Sequence, residues 1–217
     1  MDIAGYIDHT ILRVDCTADE IRQLCDEAIV HQFAAVCVPP FFVQLAAQRL
    51  EKHFPKIKVA TVIGFPMGYS STPAKIEEIK RAIDDGADEV DAVINICAIK
   101  GQNWSYVAND IDSMTTAARL KGKKIKIILE TGLLNEEELE KIAEFVLSSE
   151  PDFVKTSTGF HGIGAELGKV LFLKKLLGDK IAIKASGGIR NREDAMAFIE
   201  AGVSRIGTSA ALEIIQP

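Results

Sequence analysis

The sequence contains no uninterrupted apolar stretch near the ~18 residues needed to cross a bilayer, which excludes an ordinary membrane-spanning helix. The segment Met1-Asp2-Ile3-Ala4-Gly5 has no basic stretch leading into an apolar run, so a secretory leader is not expected and a cytoplasmic location is. Cysteine is scarce: Cys16, Cys25, Cys37 and Cys97 form no C-x-x-C pair and no regular framework, as expected of reduced thiols. No H-E-x-x-H motif and no clustered His/Cys spacing is present, so no metal is expected; His9, His31, His53 and His161 are scattered. Basic residues are not in excess. A net charge of −6 argues against a nucleic-acid partner, which requires clustered Lys and Arg. No Pro/Ser linker or low-complexity segment interrupts the chain, so residues 1–217 are expected to form one domain.

What is present is a rhythm. Short apolar or β-branched runs occur at Tyr6–Thr10, Ala34–Val38, Val59–Phe65, Glu89–Asn95, Lys126–Glu130, Phe153–Ser157, Ile181–Ser186 and Arg205–Ser209. Segments of helical period lie between them. Thr17-Ala18-Asp19-Glu20 reads as a capping box, Thr72-Pro73 as a cap before a first-turn proline, and Asn135 with Glu138 and Asn191 with Asp194 as similar starts. Gly86, Gly178 and Gly202 stand where helices should stop. Ala82–Asn95 and Phe198–Ser209 look like variants of one unit: helix end, glycine, small residue, strand. Alternating strands and helices imply a parallel sheet with right-handed crossovers, and eight units at this length imply an α/β fold of (β/α)8 TIM-barrel type. An open doubly wound sheet would advertise a glycine-rich nucleotide turn after its first strand. None stands there, and Gly162-Ile163-Gly164 meets its next glycine, Gly168, one residue too late for G-x-G-x-x-G.

Barrel strands covered on both faces should be nearly continuous Val, Ile and Leu, so their charges are informative. Lys155 follows Phe153-Val154, Lys184 follows Ile181-Ala182-Ile183, and Asp91 sits between Val90 and Ala92. A buried charge must be partnered or functional. Alternation places Lys155 with Ser157, Lys184 with Ser186, and Asp91 with Val93 and Asn95 on single faces; if these point inward, two lysines and a carboxylate share a cavity. A lysine with a pKa near 10.4 is a poor nucleophile at neutral pH, and making it neutral there needs roughly 4–5 kcal/mol. A second ammonium about 5 Å away supplies on the order of 3 kcal/mol at an effective dielectric near 20, and desolvation can supply the rest. One lysine would attack a carbonyl while the other holds the charge. The alternative is that both are structural, each satisfied by a carboxylate such as Asp91.

Two strand ends are rich in glycine, Ser186-Gly187-Gly188 and Gly207-Thr208-Ser209, with Gly159 following Lys155-Thr156-Ser157-Thr158. Barrels bind phosphate after their seventh and eighth strands, where backbone N–H groups and a short helix start face the anion and glycine allows close approach. Tight turns alone are the other explanation.

These segments carry a resemblance that spans nearly the whole chain. Ile7-Asp8-His9-Thr10, Ala35-Val36-Cys37-Val38, Val62-Ile63-Gly64-Phe65-Pro66-Met67-Gly68, Gly86-Ala87-Asp88-Glu89-Val90-Asp91, Phe153-Val154-Lys155-Thr156-Ser157-Thr158-Gly159-Phe160, Lys184-Ala185-Ser186-Gly187-Gly188-Ile189-Arg190 and Arg205-Ile206-Gly207-Thr208-Ser209 resemble the deoxyribose-phosphate aldolases, a class I family. The resemblance implies reversible cleavage of 2-deoxy-D-ribose 5-phosphate to D-glyceraldehyde 3-phosphate and acetaldehyde, in deoxynucleoside catabolism. By position it makes Lys155 the Schiff-base lysine, Lys184 the lysine that lowers its pKa, and Asp91 a proton-relay carboxylate. Asp8 would lie near the substrate hydroxyls and Cys37 would line the pocket. Thr158, Gly159, Gly187, Gly188, Gly207 and Ser209 would contact substrate. No cofactor is implied, since the protonated imine is itself the electron sink, and the family suggests a homodimer or larger homo-oligomer.

The chain also departs from that family. After Phe160, the segment His161-Gly162-Ile163-Gly164-Ala165-Glu166 replaces the usual Ser-Thr-Gly-Gly-Ala-Thr, and Glu166 brings an acid toward the expected phosphate rim. Ser209-Ala210 replaces the common Ser-Ser, and Ile214-Ile215-Gln216-Pro217 holds no tyrosine of the kind that some members carry near the C-terminus. These changes leave open a Schiff-base aldolase for a different aldehyde pair. A catalytically idle barrel that binds a sugar phosphate and regulates a partner is a third possibility. His9 reads as structural beside Asp8, His31 and His53 as surface residues, and Trp104 as packing. Glu130 reads as either electrostatic support for the lysines or a structural ion pair.

Overall fold

A computed structural model describes residues 3–53 and 57–216. The leader reading at Met1 and Asp2 and the chain end at Pro217 therefore lie outside the described residues. Eight parallel strands close into a barrel in sequence order: β1 (Ile7–Thr10), β2 (Ala35–Val38), β3 (Lys58–Ile63), β4 (Glu89–Val93), β5 (Lys124–Ile128), β6 (Phe153–Lys155), β7 (Ala182–Ser186) and β8 (Arg205–Thr208). Closure is the pairing of Ile7 with Ile206 and Asp8 with Gly207, which rules out the open sheet. The larger helices are α1 (Ala18–His31), α2 (Val43–Leu50), α3 (Thr72–Asp84), α5 (Trp104–Leu120), α6 (Glu136–Ser149), α7 (Leu167–Leu177) and α8 (Arg192–Glu200); α4 (Ile96–Lys100) and α9 (Ala211–Ile215) are short. No helix among the described residues is long and apolar enough to cross a membrane.

Local chemistry sets the helix ends. Thr17 and Glu20 form a reciprocal capping box, as do Asn135 and Glu138, and Asn191 accepts from the Asp194 N–H. The Thr72-Pro73 cue is displaced by one residue. Ser71 occupies the cap position, and the Thr72 hydroxyl instead donates to Asp110 at 2.8 Å. The repeated unit holds in detail: Ala87 N–H donates to Ala82 O and then Asp88 N–H to Val59 O, while Val203 N–H donates to Phe198 O and then Ser204 N–H to Ile183 O.

The period of two sorts each strand into two environments. Outward residues such as Val36, Val90, Ala92, Ile125, Ile127, Val154, Ile183 and Ile206 join the core shared with the helices. Each such valine or isoleucine, fully buried, contributes about 1.5–3 kcal/mol relative to exposure. The barrel interior is different. Toward β2 and β3 it holds a small apolar cluster of Cys37, Ala60 and Val62, with Leu12 and Phe65 against it. Toward the other strands it is filled by charge.

Candidate active site

Adjacent strands bring the charges into register. Lys155 on β6 pairs with Lys184 on β7, and Asp91 on β4 pairs with Lys126 on β5. Lys155 Nζ and Lys184 Nζ donate to the same oxygen, Asp91 Oδ2, at 3.0 and 2.9 Å. Two ammonium groups sharing that oxygen are at most about 6 Å apart and repel by on the order of 3 kcal/mol at an effective dielectric near 20.

The cluster is larger than the sequence suggested. Lys126 Nζ donates to Asp91 Oδ1 at 2.9 Å and lies 2.5 Å from Glu89 Oε2. Arg205 donates to Asp8 Oδ1 at 2.6 Å and to Glu89 Oε1 at 3.0 Å, while Lys184 donates to Asp8 Oδ2. Three carboxylates (Asp8, Glu89, Asp91) thus face four basic side chains (Lys126, Lys155, Lys184, Arg205). Burial opposes ionisation of Asp91, yet Lys126, Lys184 and Lys155 hold its carboxyl well below the usual carboxylate range. Burial likewise opposes ionisation of Asp8, and Lys184, Lys126 and Arg205 outweigh it. On the cationic side, burial is overcome at Lys184 by Asp8 and Asp91, at Lys126 by Asp91 and Glu89, and at Arg205 by Asp8 and Glu89, so all three are held above their ordinary values.

Above the cluster, at the C-terminal ends of the strands, opens a cavity of about 600 Å³. It is walled by the segments following β1, β6, β7 and β8. Among the described residues, Lys155 is the one member of the charged cluster on its wall. Thr158, Gly159, Gly187, Gly188, Gly207 and Ser209 line it as well. Gly187 and Gly188 have φ of +90° and +80°, and nothing within 4 Å would meet a side chain at Gly188. At Gly207 glycine has a different use: a Cβ would come within 2.9 Å of Lys184 Cε and 2.8 Å of Ser186 Cβ, so its smallness makes room for the lysine. Arg190 lines the cavity as well, and its exposed side chain has no hydrogen-bond or salt-bridge partner among the described residues.

Two expected contacts lie deeper than the cavity wall. Asp8 does not face the cavity, because Lys184 and Arg205 take both of its oxygens in the layer below. Cys37 is fully buried among Ala60 and Val62 beneath the cavity wall rather than on it, and burial pushes its thiol up. Asp91 also lies below the wall, in contact with Lys155. Glu130 forms no ion pair among the described residues; its Oε2 accepts from the Thr158 backbone N–H at 3.1 Å and from its hydroxyl, fixing the cavity wall after β6. His9 binds Glu27 at 2.7 Å, His31 and His53 are half-buried, and Trp104 packs against Phe145. The divergent loop is seated: Ala165 N–H donates to Gly187 O at 3.0 Å, and Ile163 packs so tightly on Gly132 that a Cβ there would meet it at 2.4 Å. Glu166 begins α7 without a side-chain capping bond and is not on the cavity wall.

Lys126 was discoverable. It is flanked by Ile125 and Ile127, the same signal that exposed Lys155 and Lys184, but the reading began that strand at Lys126, where a charge looks like a strand end.

Comparison with known proteins agrees with this chemistry. Residues 3–216 match the model of the DeoC/LacD family aldolases. A deoxyribose-phosphate aldolase of Thermococcus gammatolerans is 48% identical over 216 residues, covering 100% of this chain and 96% of the relative. One from Caldicellulosiruptor saccharolyticus is 48% identical over 215 residues, covering 99% and 97%. Among solved structures, the tetrameric deoxyribose phosphate aldolase of Aeropyrum pernix superposes with a TM-score of 0.90 at 30% identity, covering 98% of this chain and 89% of that one. Another solved aldolase reaches a TM-score of 0.92 at 38% identity, covering 99% and 95%. A closed barrel with a lysine at its cavity, and a full-length match of this kind, have one meaning: the chain belongs to the DeoC/LacD family of aldolases.

Proposed function

We propose that this chain is a deoxyribose-phosphate aldolase that cleaves 2-deoxy-D-ribose 5-phosphate reversibly to D-glyceraldehyde 3-phosphate and acetaldehyde through a Schiff base on Lys155. The observation that carries this reading is that Lys155 borders the cavity while its charged neighbours lie below it. It also has the fewest carboxylate partners: one, against two each for Lys184 and Arg205 and three for Lys126. Within this salt-bridged cluster the other six charges balance; the buried Glu130 stands outside it, held by Thr158 with no salt bridge among the described residues. Lys155 is the surplus cation, and a surplus buried charge is costly, so the group that can release a proton to the cavity is the one to do so.

The neutral amine adds to the C1 aldehyde of the substrate and water leaves, giving a protonated imine. That step returns a positive charge to a cluster already in balance. The C3 hydroxyl loses its proton to a base, Asp91 acting through a water, and the C2–C3 electron pair moves into the imine. Glyceraldehyde 3-phosphate departs, leaving an enamine with no net charge, so the same electrostatics that freed the amine also favour bond cleavage. Protonation of the enamine carbon and hydrolysis of the imine release acetaldehyde and restore Lys155. Asp91 is a weak base because three lysines hold its charge, which suits a relay that must return its proton within the cycle.

Phosphate would be received by the backbone N–H groups around Gly187 and Gly188 and those near Gly159 and Ser209, with Arg190 as the cation. Arg190 was not among the expected contacts, but its unpartnered guanidinium on the cavity wall supports the role. The tetrameric relative from Aeropyrum pernix supports a homo-oligomer, dimer or larger. A cytoplasmic, catabolic role is the setting we infer. An idle sugar-phosphate barrel is disfavoured, since nothing in mere binding calls for a surplus buried lysine.

The test is turnover. Incubation with deoxyribose 5-phosphate is expected to release acetaldehyde and glyceraldehyde 3-phosphate in equal amounts, and far faster than unphosphorylated deoxyribose releases acetaldehyde. No release from either sugar contradicts the lyase; equal efficiency removes the phosphate site.

A further inference from the structure

We infer that Lys126, which does not reach the cavity, is a positioning residue that keeps the Lys155 amine free of its proton by occupying Asp91 and completing the charge balance of the barrel interior; this rests on the Schiff-base reading above. The difficulty it resolves is specific. Asp91 Oδ2 lies 3.0 Å from Lys155 Nζ, and a carboxylate that close favours an ammonium. Repulsion from Lys184 alone must work against that attraction. Asp91, however, is not a free carboxylate. Lys126 takes its Oδ1 at 2.9 Å, and Lys184 shares its Oδ2 at 2.9 Å.

The groups facing Lys155 can be followed around the barrel. Asp8 comes from β1 and Cys37 from β2, whose thiol burial keeps protonated. On β3 the titratable side chain is Lys58 at the strand's first position, on the face of Ala60 and Val62 and at the barrel end away from the cavity. Glu89 and Asp91 come from β4, Lys126 from β5, Lys184 from β7 and Arg205 from β8; at the two ends of β5, Lys124 is exposed and Glu130 is buried with its carboxylate held by Thr158. Lys126 touches all three carboxylates, Asp8 at 3.8 Å, Glu89 at 2.5 Å and Asp91 at 2.9 Å, and is itself fully buried. No other cation in the cluster does so.

Removing Lys126 leaves three carboxylates against Lys184 and Arg205. Lys155 then becomes the third cation that the interior requires, and its proton is retained to higher pH. Removing the Glu89 charge as well leaves Asp8 and Asp91 against Lys184 and Arg205, and Lys155 is again surplus. The inference therefore concerns a charge count, and two substitutions that each disturb the same contact should cancel.

The experiment is reductive trapping of acetaldehyde on the intact protein, followed as a function of pH, with folding checked by thermal melting. Lys126→Met is expected to raise the midpoint pH of trapping by about one unit or more, equivalent to at least tenfold less reactive amine at fixed pH below it. Glu89→Gln alone is expected to lower the midpoint, and Lys126→Met/Glu89→Gln to return it toward the wild-type value. Lys126→Arg, which keeps the charge, should leave it in place. As a control, Lys75→Met removes a buried lysine from an unrelated ion pair between α3 and α5 and should not move it. An unmoved midpoint in Lys126→Met, or an equal rise in Lys75→Met, overturns the inference. Should Lys126→Met fail to fold, a rise in Glu89→Gln or in the double variant overturns it equally. A wild-type protein that traps nothing overturns the aldolase reading and this inference together, whereas a wild-type adduct whose midpoint ignores Lys126 overturns the inference alone.

Discussion

Two groups of buried lysine salt bridges in this fold are built on opposite plans. Between α3 and α5, Lys75 donates to Asp110 at 2.6 Å and to Val93 O at 2.9 Å, and Thr72 donates to the other Asp110 oxygen at 2.8 Å. One cation meets one anion, both carboxylate oxygens are used, and the pair is fully buried. Even the neighbouring backbone conforms, since a Cβ at Gly64 would come within 2.8 Å of Lys75 Cδ. Inside the barrel, three carboxylates meet four basic groups, and the surplus one borders a cavity. A balanced, sealed pair can hold helices together but has no proton to release. An unbalanced cluster with an opening has a reason to leave one amine neutral and a place for that amine to react. Charge in a core is therefore informative through its count and its access, rather than its presence.

The contrast can be broken in order of expected effect. Lys184→Leu takes a cation from the unbalanced set and leaves Asp8 and Asp91 underpaired. Turnover at neutral pH is expected to fall by about 10²-fold or more, and the pH–rate profile to move to higher pH as the remaining carboxylate charge holds the proton on Lys155. An unchanged profile would remove Lys184 from the electrostatic role. Lys75→Met strips the balanced set and leaves Asp110 buried without its cation, a loss of about 3–5 kcal/mol, read as a melting temperature lower by roughly 6–20 °C. Its pH–rate profile should be that of the wild type; a displaced profile would show that the two sets are coupled. Arg190→Ala touches neither set. Losing one charge-assisted contact, about 1.5–3 kcal/mol, should raise KM for the phosphorylated sugar by roughly 10- to 150-fold and leave the unphosphorylated sugar unaffected. An equal effect on both sugars would place Arg190 outside phosphate recognition.

Much of this was legible from the residues, and the failures have a common cause. All eight strands lie where the apolar runs predicted them, because a parallel strand covered on both faces must be apolar. The charges at mid-strand, Lys155, Lys184 and Asp91, stood out against that background. Glu89, Lys126 and Arg205 did not, although they complete the cluster, because each was read as the first residue of its strand. A closed barrel buries the inward residues at strand starts as well as those at strand ends, and closure is a property of the whole sheet that no single segment displays. The same limit hid the depth of Asp8 and Cys37. Both point inward, as alternation requires, but depth along the barrel axis decides whether an inward residue meets the cavity or the layer beneath it. Gly207 has a use that its own segment does not display. Besides lining the cavity, its lack of a side chain makes room for Ser186 and Lys184, both supplied by the adjacent strand.

The central claim is that one amine among the buried lysines reacts because the others leave it without a charge to balance. Reduction of the protein with borohydride in the presence of acetaldehyde, followed by peptide mapping at neutral pH, addresses it most directly. The account expects a single ethyl adduct, on Lys155, with Lys126, Lys184 and Lys75 unmodified. Modification of Lys184 in its place, or no adduct on any buried lysine, would contradict it.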